Sequence, residues 1–472
     1  MRDWRRRLAV WLARLTEKMC RLLGRGGGTL PGALALRVDP EILADLAGMI
    51  REKIIVTMGT NGKTTVNGIL IHTLRAQGKK VIANRDGSNM SGGVAGAFVL
   101  AADGSGRIDG DFACIEVDEF AARRLLPVLK PDCVILTNIF RDQLDRFGEL
   151  DTVADRIREA LLLVPQARLV LNCDDIFSAA LIRLCPNPVT TFGIDERVFA
   201  PSARGQVRDS IFCRFCGQKL EYEFFHYGHL GIWRCAGCGW SRPRPDSAAE
   251  HIRRSGERKT GQATPDAEEA GGGGYVFDVD GSRIHCRTDC ACNIYNALCV
   301  CTALKDAGIP TALIRDALET FDYGNGREES FRIGNMWVQL FLAKNPVGFQ
   351  QKISLLCQEA EPADLVIQIG DTPQDGKDIS WLWDVDFGYL KNTGIRTIIV
   401  TGSRRHDMAL RLKYEEILCS SARSMKSCVK RLMRARRAGR LYIIVNYSGL
   451  LKTNRMLRKM HRRKPEREHA HV

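Results

Sequence analysis

No stretch of this chain reaches the roughly 18 consecutive apolar residues that a bilayer-spanning helix requires. Its first residues also lack the apolar core and cleavage site of a secretory leader. The expectation is a cytoplasmic chain. Proline is sparse, at 16 of 472 residues, while hydrophobic residues make up 45% and charged residues 26%, a balance that excludes a disordered polypeptide. That length accommodates two to four domains of about 100–200 residues each. An even, dense cysteine set is missing too: the 17 cysteines are odd in number and spread over a long chain, which argues against a disulfide framework. Most of them, such as Cys114, Cys133 and Cys299, lie inside apolar runs, where a thiol packs as a small hydrophobe.

Acidic residues are also short, 55 against 69 lysines and arginines, for a net charge of +14. Such an excess fits nucleic acid, an acidic partner or an anionic membrane surface. Its distribution narrows the choice, because the positive charge gathers at the two ends. In the first 28 residues Trp4, Leu8, Trp11, Leu12, Leu15, Met19 and Leu22 fall on one helical face with arginines largely on the other. Two readings stay open here: a helix packed on the body of the protein, or one lying in a membrane interface. The basic C-terminal run reads as a solvated face or tail, with contact to an anionic ligand or membrane as the alternative.

From Lys53 to Leu171 short apolar runs ("KIIVTM", "KVIAN", "FACIEV", "CVILTNI", "RLVLN") alternate with helical patterns such as "TTVNGILIHTLRAQG". Buried strands alternating with amphipathic helices predict an α/β fold with a parallel-rich sheet covered on both faces. From Phe199 to Tyr275 the character changes to a cysteine-aromatic segment, followed from Ser241 to Gly274 by a polar, glycine-rich stretch read as a flexible excursion. Strand and helix signals then resume. The predicted organisation is a basic N-terminal segment (1–50), a nucleotide-binding central domain (51–330, with an insertion at 199–275) and a smaller, Rossmann-like α/β domain (331–472). No internal repeat is evident.

"VTMGTNGKTTVNG" carries the strongest chemical signal. The usual phosphate loop would place its first glycine at position 57, where this chain has Thr57. The strand-to-helix context is nonetheless the right one: Gly59, Thr60, Asn61, Gly62, Lys63, Thr64 and Thr65 would cradle phosphate oxygens with backbone N–H groups and a helix N-terminus. Lys63 supplies a point charge, and the Thr64 hydroxyl suits Mg²⁺. "CIEVDEF" ends another strand in carboxylates, where ligands bind in such sheets. Glu116 is read as a Mg²⁺ ligand; for Asp118 and Glu119, ligation and ordinary solvated loop charge stay equally open. Asn172, Asp174 and Asp175 follow a further strand end.

A second signal is "CRFCGQKLEYEFFHYGHLGIWRCAGC", where Cys213, Cys216, Cys235 and Cys238 form two C-x-x-C pairs 18 residues apart. Two thiolates from each of two tight turns complete a tetrahedral structural Zn²⁺ site. With that shell closed by cysteine, His226 and His229 are read as surface residues of the ribbon. Its aromatics, Phe215, Tyr222, Phe224, Phe225, Tyr227 and Trp233, could stack bases or form the small core that zinc organises.

"MGTNGKTT", "EVDE", "TNIFRDQLDRFG", "LNCDD", "NIYNAL" and "GNGREE" come in the order and spacing of the Mur ligase superfamily, which this chain resembles from Val56 onward. That resemblance implies a Mur-ligase-type central domain and ATP-dependent joining of a nitrogen nucleophile to a carboxylate through an acyl phosphate. It implies Gly59, Lys63 and Thr64 at the triphosphate and Mg²⁺, Glu116 at a metal, Asn293 and Asn296 near adenosine, and Arg327 at the phosphates. Gln143 stands where typical members have histidine, so the number of Mg²⁺ sites stays open. Only about 50 residues precede the loop, too few for the domain that grips a UDP-linked substrate.

The short N-terminus, the four-cysteine insertion, "AKNP" with Lys344 in place of histidine, and "DGKDISWLWDVDF" look like the ligase-like subunits of lipid II isoglutaminyl synthases. That branch implies amidation of the D-glutamate α-carboxylate of lipid II in peptidoglycan synthesis, at the inner face of the cytoplasmic membrane. It also implies a GatD-like glutaminase partner that supplies ammonia, consistent with the missing glutaminase pattern here. An aspartate of the second domain would complete the partner's Cys–His site; Asp384 and Asp378 are the candidates, with Asp386 in reserve. Two alternatives remain: a conventional Mur or folylpolyglutamate-type amino-acid ligase, and a zinc-ribbon nucleic-acid-binding ATPase.

Overall fold

The structure, a computed structural model, describes residues 2–23, 28–84, 87–142, 149–198, 210–255, 274–288, 290–323, 328–357, 361–372, 375–435 and 439–461. The chain divides into two compact units; the second begins at Asp322 and also takes in Arg141 and Asp142.

The first unit opens with three helices, α1 (Arg2–Leu22), α2 (Leu30–Val38) and α3 (Ile42–Ala47). The sheet follows, with β1 (Lys53–Met58), β2 (Val81–Ala83), β3 (Phe112–Glu116), β4 (Cys133–Leu136), β5 (Arg168–Asn172) and β6 (Val189–Ile194). Between the strands run α4 (Lys63–Ala76), α5 (Ser91–Ala101), α6 (Ala122–Leu129), α7 (Leu150–Leu161) and α8 (Ile176–Leu184). An antiparallel hairpin of β7 (Glu221–Phe225) and β8 (Gly231–Arg234) stands apart from the sheet. The unit closes with β9 (Ser247–Ser255), β10 (Gly274–Val279), β11 (Ser282–Cys286), α9 (Cys292–Asp306) and α10 (Thr311–Thr320).

Nine strands order as β11-β10-β9-β6-β5-β4-β1-β3-β2, parallel from β2 through β9 and antiparallel at the β9-β10-β11 edge. β1 lies centrally because five of its six residues are buried, a continuous apolar run of the kind that needs cover on both faces. The chain runs from β1 outward to β2, back to β3, then across to β4, so the strand order reverses at β1. The carboxyl ends of β1, β3 and β4 meet at that switch point, where such sheets bind ligands.

One expectation needs correction. Ser247–Ser255 is not part of a flexible excursion: it is a strand, paired parallel to β6 and antiparallel to β10. Its alternation is weak because only Ser247 and Ala249 reach the interior, so the partner strands decide its state. In α1 the packed side is the narrow Ala9, Val10 and Ala13 face, which lies on α2 and α5, while the bulky apolar side faces outward. Alanines permit close helix approach where tryptophans do not.

The second unit is a six-stranded sheet, β12 (Glu328–Ile333), β13 (Met336–Leu342), β14 (Ala363–Gln368), β15 (Ile395–Thr401), β16 (Ser420–Ser421) and β17 (Gly439–Val445). Their order is β12-β13-β17-β14-β15-β16, with only the β12–β13 pair antiparallel. Period-two alternation fills both faces: Leu365, Ile367, Tyr442 and Ile444 enter one core, Val366, Leu441, Ile443 and Val445 the other.

Candidate active site

The turn from β1 into α4 depends on two glycines. Gly59 and Gly62 hold φ of 119° and 90°, values open to glycine and strained for other residues. A Cβ at Gly59 would stand 2.4 Å from Thr137 Oγ1, and one at Gly62 would stand 2.3 Å from Asn296 Oδ1. The loop is held from β4: Asn61 N–H donates to Asn138 Oδ1 at 2.9 Å, Thr137 Oγ1 donates to the Asn61 carbonyl at 2.7 Å, and Thr60 N–H donates to the Asn138 carbonyl at 2.8 Å. Gly62 caps α4 with no side-chain bond to its first turn. The N–H groups of that turn have no intrahelical partner, so they and the helix dipole face the cradle.

Lys63, Thr64 and the β3 carboxylates close the site. Lys63 Nζ donates to Glu119 Oε1 at 2.8 Å and to the Gly59 carbonyl. Burial by itself would lower the Lys63 pKa, but attraction to Glu119, then Glu116 and Asp118, outweighs it and holds the ammonium above its ordinary value. Thr64 Oγ1 donates to Glu116 Oε2 at 2.7 Å. Glu116 is fixed in turn by Asn84, which receives its N–H at 2.9 Å and donates to its carbonyl at 2.8 Å, and by Asn89, which donates to Oε1 at 3.3 Å. Asp118 and Glu119 are 5% and 7% exposed, which rules out the solvated-loop reading for both.

On α9, Asn296 Nδ2 donates to Asn293 Oδ1 at 2.7 Å and Asn293 Nδ2 to Thr288 Oγ1 at 2.8 Å, a buried pair beside Gly62. Arg327 and Gln143 lie outside the described residues. The residues left unassigned by sequence were Asn84, Asn89, Thr137 and Asn138. Asn138 sits in the quoted "TNIF" run, directly after β4, and that position was its one signal.

The sulfurs of Cys213, Cys216, Cys235 and Cys238 all lie within 4.8 Å of one another, with Cys213–Cys238 at 3.5 Å and Cys216–Cys235 at 3.4 Å. A tetrahedral zinc with Zn–S near 2.3 Å needs S···S of about 3.8 Å, so four thiolates fit the ion. The ribbon aromatics pack among themselves: Trp233 lies 4.4 Å from Trp240, and Tyr222 stacks on Phe225 at 3.9 Å between ring centroids.

His226 and His229 are not surface residues; both are fully buried. His229 Nε2 meets Asp175 Oδ1 at 2.9 Å, and His226 Nε2 donates to the Ile194 carbonyl at 3.1 Å. Burial lowers the His226 pKa. Asp175 also accepts Ile139 N–H at 2.7 Å and caps α8, while Asp174 accepts from Arg242 at 2.6 Å and Tyr295 at 2.5 Å. Phe140 touches His229 at 4.8 Å and exchanges hydrogen bonds with Thr60 of the loop. The hairpin is thereby keyed into the loop's own support.

In the second unit Asp384 ends a 3₁₀ turn, Ser380–Asp384, with its side chain 36% exposed and accepting from Arg141 at 3.2 Å. Arg411 pins that turn by donating to the carbonyls of Leu382 and Val385 at 3.1 and 2.8 Å. Asp378 accepts from Ser380 N–H and Oγ at 2.8 and 2.9 Å, and Asp386 accepts Gly388 N–H at 3.0 Å. Lys344 pairs with Asp142.

Two family models match the chain: the Mur ligase middle domain over residues 56–228 and the MurT ligase C-terminal domain over residues 342–450. Subunit MurT of the lipid II isoglutaminyl synthase (glutamine-hydrolyzing) of Staphylococcus aureus strain COL is 32% identical over 418 residues, covering 88% of this chain and 89% of that protein. The chain belongs to the MurT family. The Streptococcus pneumoniae R6 protein of the same name is 31% identical, covering 92% and 93% of the two chains. Among solved structures, a pseudomurein peptide ligase type C from Methanothermus fervidus superposes with a TM-score of 0.64 at 20% identity, covering 88% of this chain and 80% of that one. MurF ligase from Thermotoga maritima, in complex with ADP, gives 0.62 at 13%, covering 89% and 83%. These likenesses establish a Mur ligase fold.

Proposed function

We propose that this chain is the ATP-using subunit of a lipid II isoglutaminyl synthase, amidating the D-glutamate α-carboxylate of the lipid II stem peptide at the cytoplasmic membrane face. The observation that carries the reading is the match to MurT subunits along nearly the whole chain, second unit included, and so beyond the Mur ligase middle domain.

A carboxylate is a poor acceptor until one oxygen becomes a leaving group. In the proposed sequence a carboxylate oxygen attacks the γ-phosphorus of ATP, ADP departs and an acyl phosphate forms. Ammonia then attacks the carbonyl carbon, and the C–O bond breaks to release phosphate and the amide. The loop amides and Lys63 are assigned to the phosphates, Lys63 exchanging Glu119 for phosphate oxygens and offsetting charge as it develops. Thr64 and Glu116 are the residues that would hold Mg²⁺, which would supply Lewis-acid stabilisation of the phosphate charge. Asn293 and Asn296 are proposed near the nucleoside on motif, a reading supported by the position of Asn296 beside Gly62. Arg327 is proposed at the phosphates on motif alone.

Ammonia is proposed to come from a GatD-like glutaminase. Asp384 is the preferred residue to orient that partner's histidine, because Asp378 and Asp386 already cap backbone N–H groups. The deciding experiment is mass spectrometry of lipid II incubated with this protein, ATP, Mg²⁺ and ammonium salt, then with the glutaminase and glutamine. A product mass corresponding to exchange of carboxyl OH for NH₂ is expected. Turnover only when an amino acid is supplied would point instead to a conventional ligase.

A further inference from the structure

Helix α1 presents an apolar stripe that no described residue of its own unit covers. Trp4, Leu8, Trp11, Leu15, Met19 and Leu22 recur at three- and four-residue spacing, which sets them on one face. All six are exposed, Trp4 at 57%, Trp11 at 60% and Leu22 at 87%. The opposite face, Ala9 and Ala13, is completely buried against the unit. The helix is thus fixed in place by its small residues and displays its large ones.

The charges flanking the stripe identify what fits it. α1 carries seven basic and two acidic side chains. Both acids are already neutralised within the helix: Asp3 accepts from Arg6 at 2.6 Å and Glu17 from Arg21 at 2.9 Å. Arg7 and Lys18 border the stripe on one side and Arg5 on the other, all exposed, with the Arg5 guanidinium 5.7 Å from the Trp4 ring centroid. A second copy of this helix would set arginine against arginine. A bilayer surface supplies apolar chain beneath and anionic headgroups at the level of the guanidinium groups, and tryptophan favours that boundary.

We infer that α1 docks the protein onto an anionic lipid surface, with Trp4, Leu8, Trp11, Leu15, Met19 and Leu22 entering the interface and Arg5, Arg7 and Lys18 meeting headgroups. This deepens, and rests on, the membrane-face reading above: a docked protein meets a lipid-anchored substrate in two dimensions.

The test uses the full chain and sedimentation with vesicles of phosphatidylcholine alone or mixed with phosphatidylglycerol. Binding to the mixed vesicles, weak binding to phosphatidylcholine and loss of binding at high salt are expected. Trp11→Ser combined with Leu15→Ser should lower the bound fraction at least tenfold, and Arg5→Gln, Arg7→Gln and Lys18→Gln together should erase the preference for anionic lipid. All five positions are exposed, so circular dichroism should be unchanged. Equal binding by wild type and variants, or no binding, overturns the inference. So does light scattering that shows a dimer which the Trp11/Leu15 variant dissolves. Amidation of detergent-solubilised lipid II with ammonium salt is the separate readout. If it proceeds without vesicle binding, only the docking falls; if vesicles bind and no amide forms, the functional reading falls instead.

Discussion

Lys63 is the side chain on which the proposed phosphoryl transfer depends most. It is held by Glu119 and reinforced electrostatically by Glu116 and Asp118, so it is charged and aimed before nucleotide arrives. Lys63→Ala should reduce ammonia-driven amidation by about 10²–10³-fold, the scale of losing one preorganised electrostatic donor, with an unchanged circular dichroism spectrum; retained turnover would remove Lys63 from the reaction. Asp384 separates two activities. Asp384→Asn should leave ammonia-driven amidation intact and depress the glutamine-driven reaction, since its proposed role lies in the partner's site; equal loss of both would assign it to this chain's own fold. Lys63 and Thr64 were legible in sequence because a phosphate loop is contiguous. Asn84 and Asn89 were not, because a residue that orients Glu116 from another segment has no spacing to read.

At the scale of elements, the hairpin with its four cysteines is more than a surface ornament. His229 and Phe140 connect it to Asp175 and Thr60, and thus to the loop. Replacing Cys213 and Cys235 with serine should empty the zinc site by elemental analysis, lower the melting midpoint and weaken nucleotide binding; unchanged zinc content would discard the ribbon assignment. His226 adds a pH dependence whose sign follows from its burial. Its folded pKa lies below the unfolded value of about 6.5, so below that pH the unfolded chain takes up a proton that the folded one refuses. Stability should therefore fall as pH drops from 7.5 to 5.5, and His226→Gln should flatten that slope in thermal melts. The histidines were misjudged from sequence because four cysteines close a metal shell without saying where the hairpin lies.

For the whole molecule, the proposed nucleotide site lies at the carboxyl edge of the first unit's sheet, so ligand should report on that unit. Adding ADP and Mg²⁺ at about 100 times Kd should stabilise that unit by about 2.7 kcal/mol, seen as a raised melting midpoint that Lys63→Ala abolishes. The absence of any shift would place nucleotide elsewhere.

What the sequence determined by itself was whatever is local or periodic: the alternation of buried strands and helices, the phosphate loop, the two C-x-x-C pairs, and the motif order that marks a Mur ligase. Tertiary structure alone decided the rest. It made a strand of Ser247–Ser255, whose composition is polar and whose pairing with β6 and β10 supplies the missing preference. It buried Asp118, Glu119, His226 and His229, because burial of a polar group is decided by partners distant in sequence. It also turned the wide apolar face of α1 outward, since a helix with two contrasting faces has a pattern but no direction until a neighbour accepts one of them.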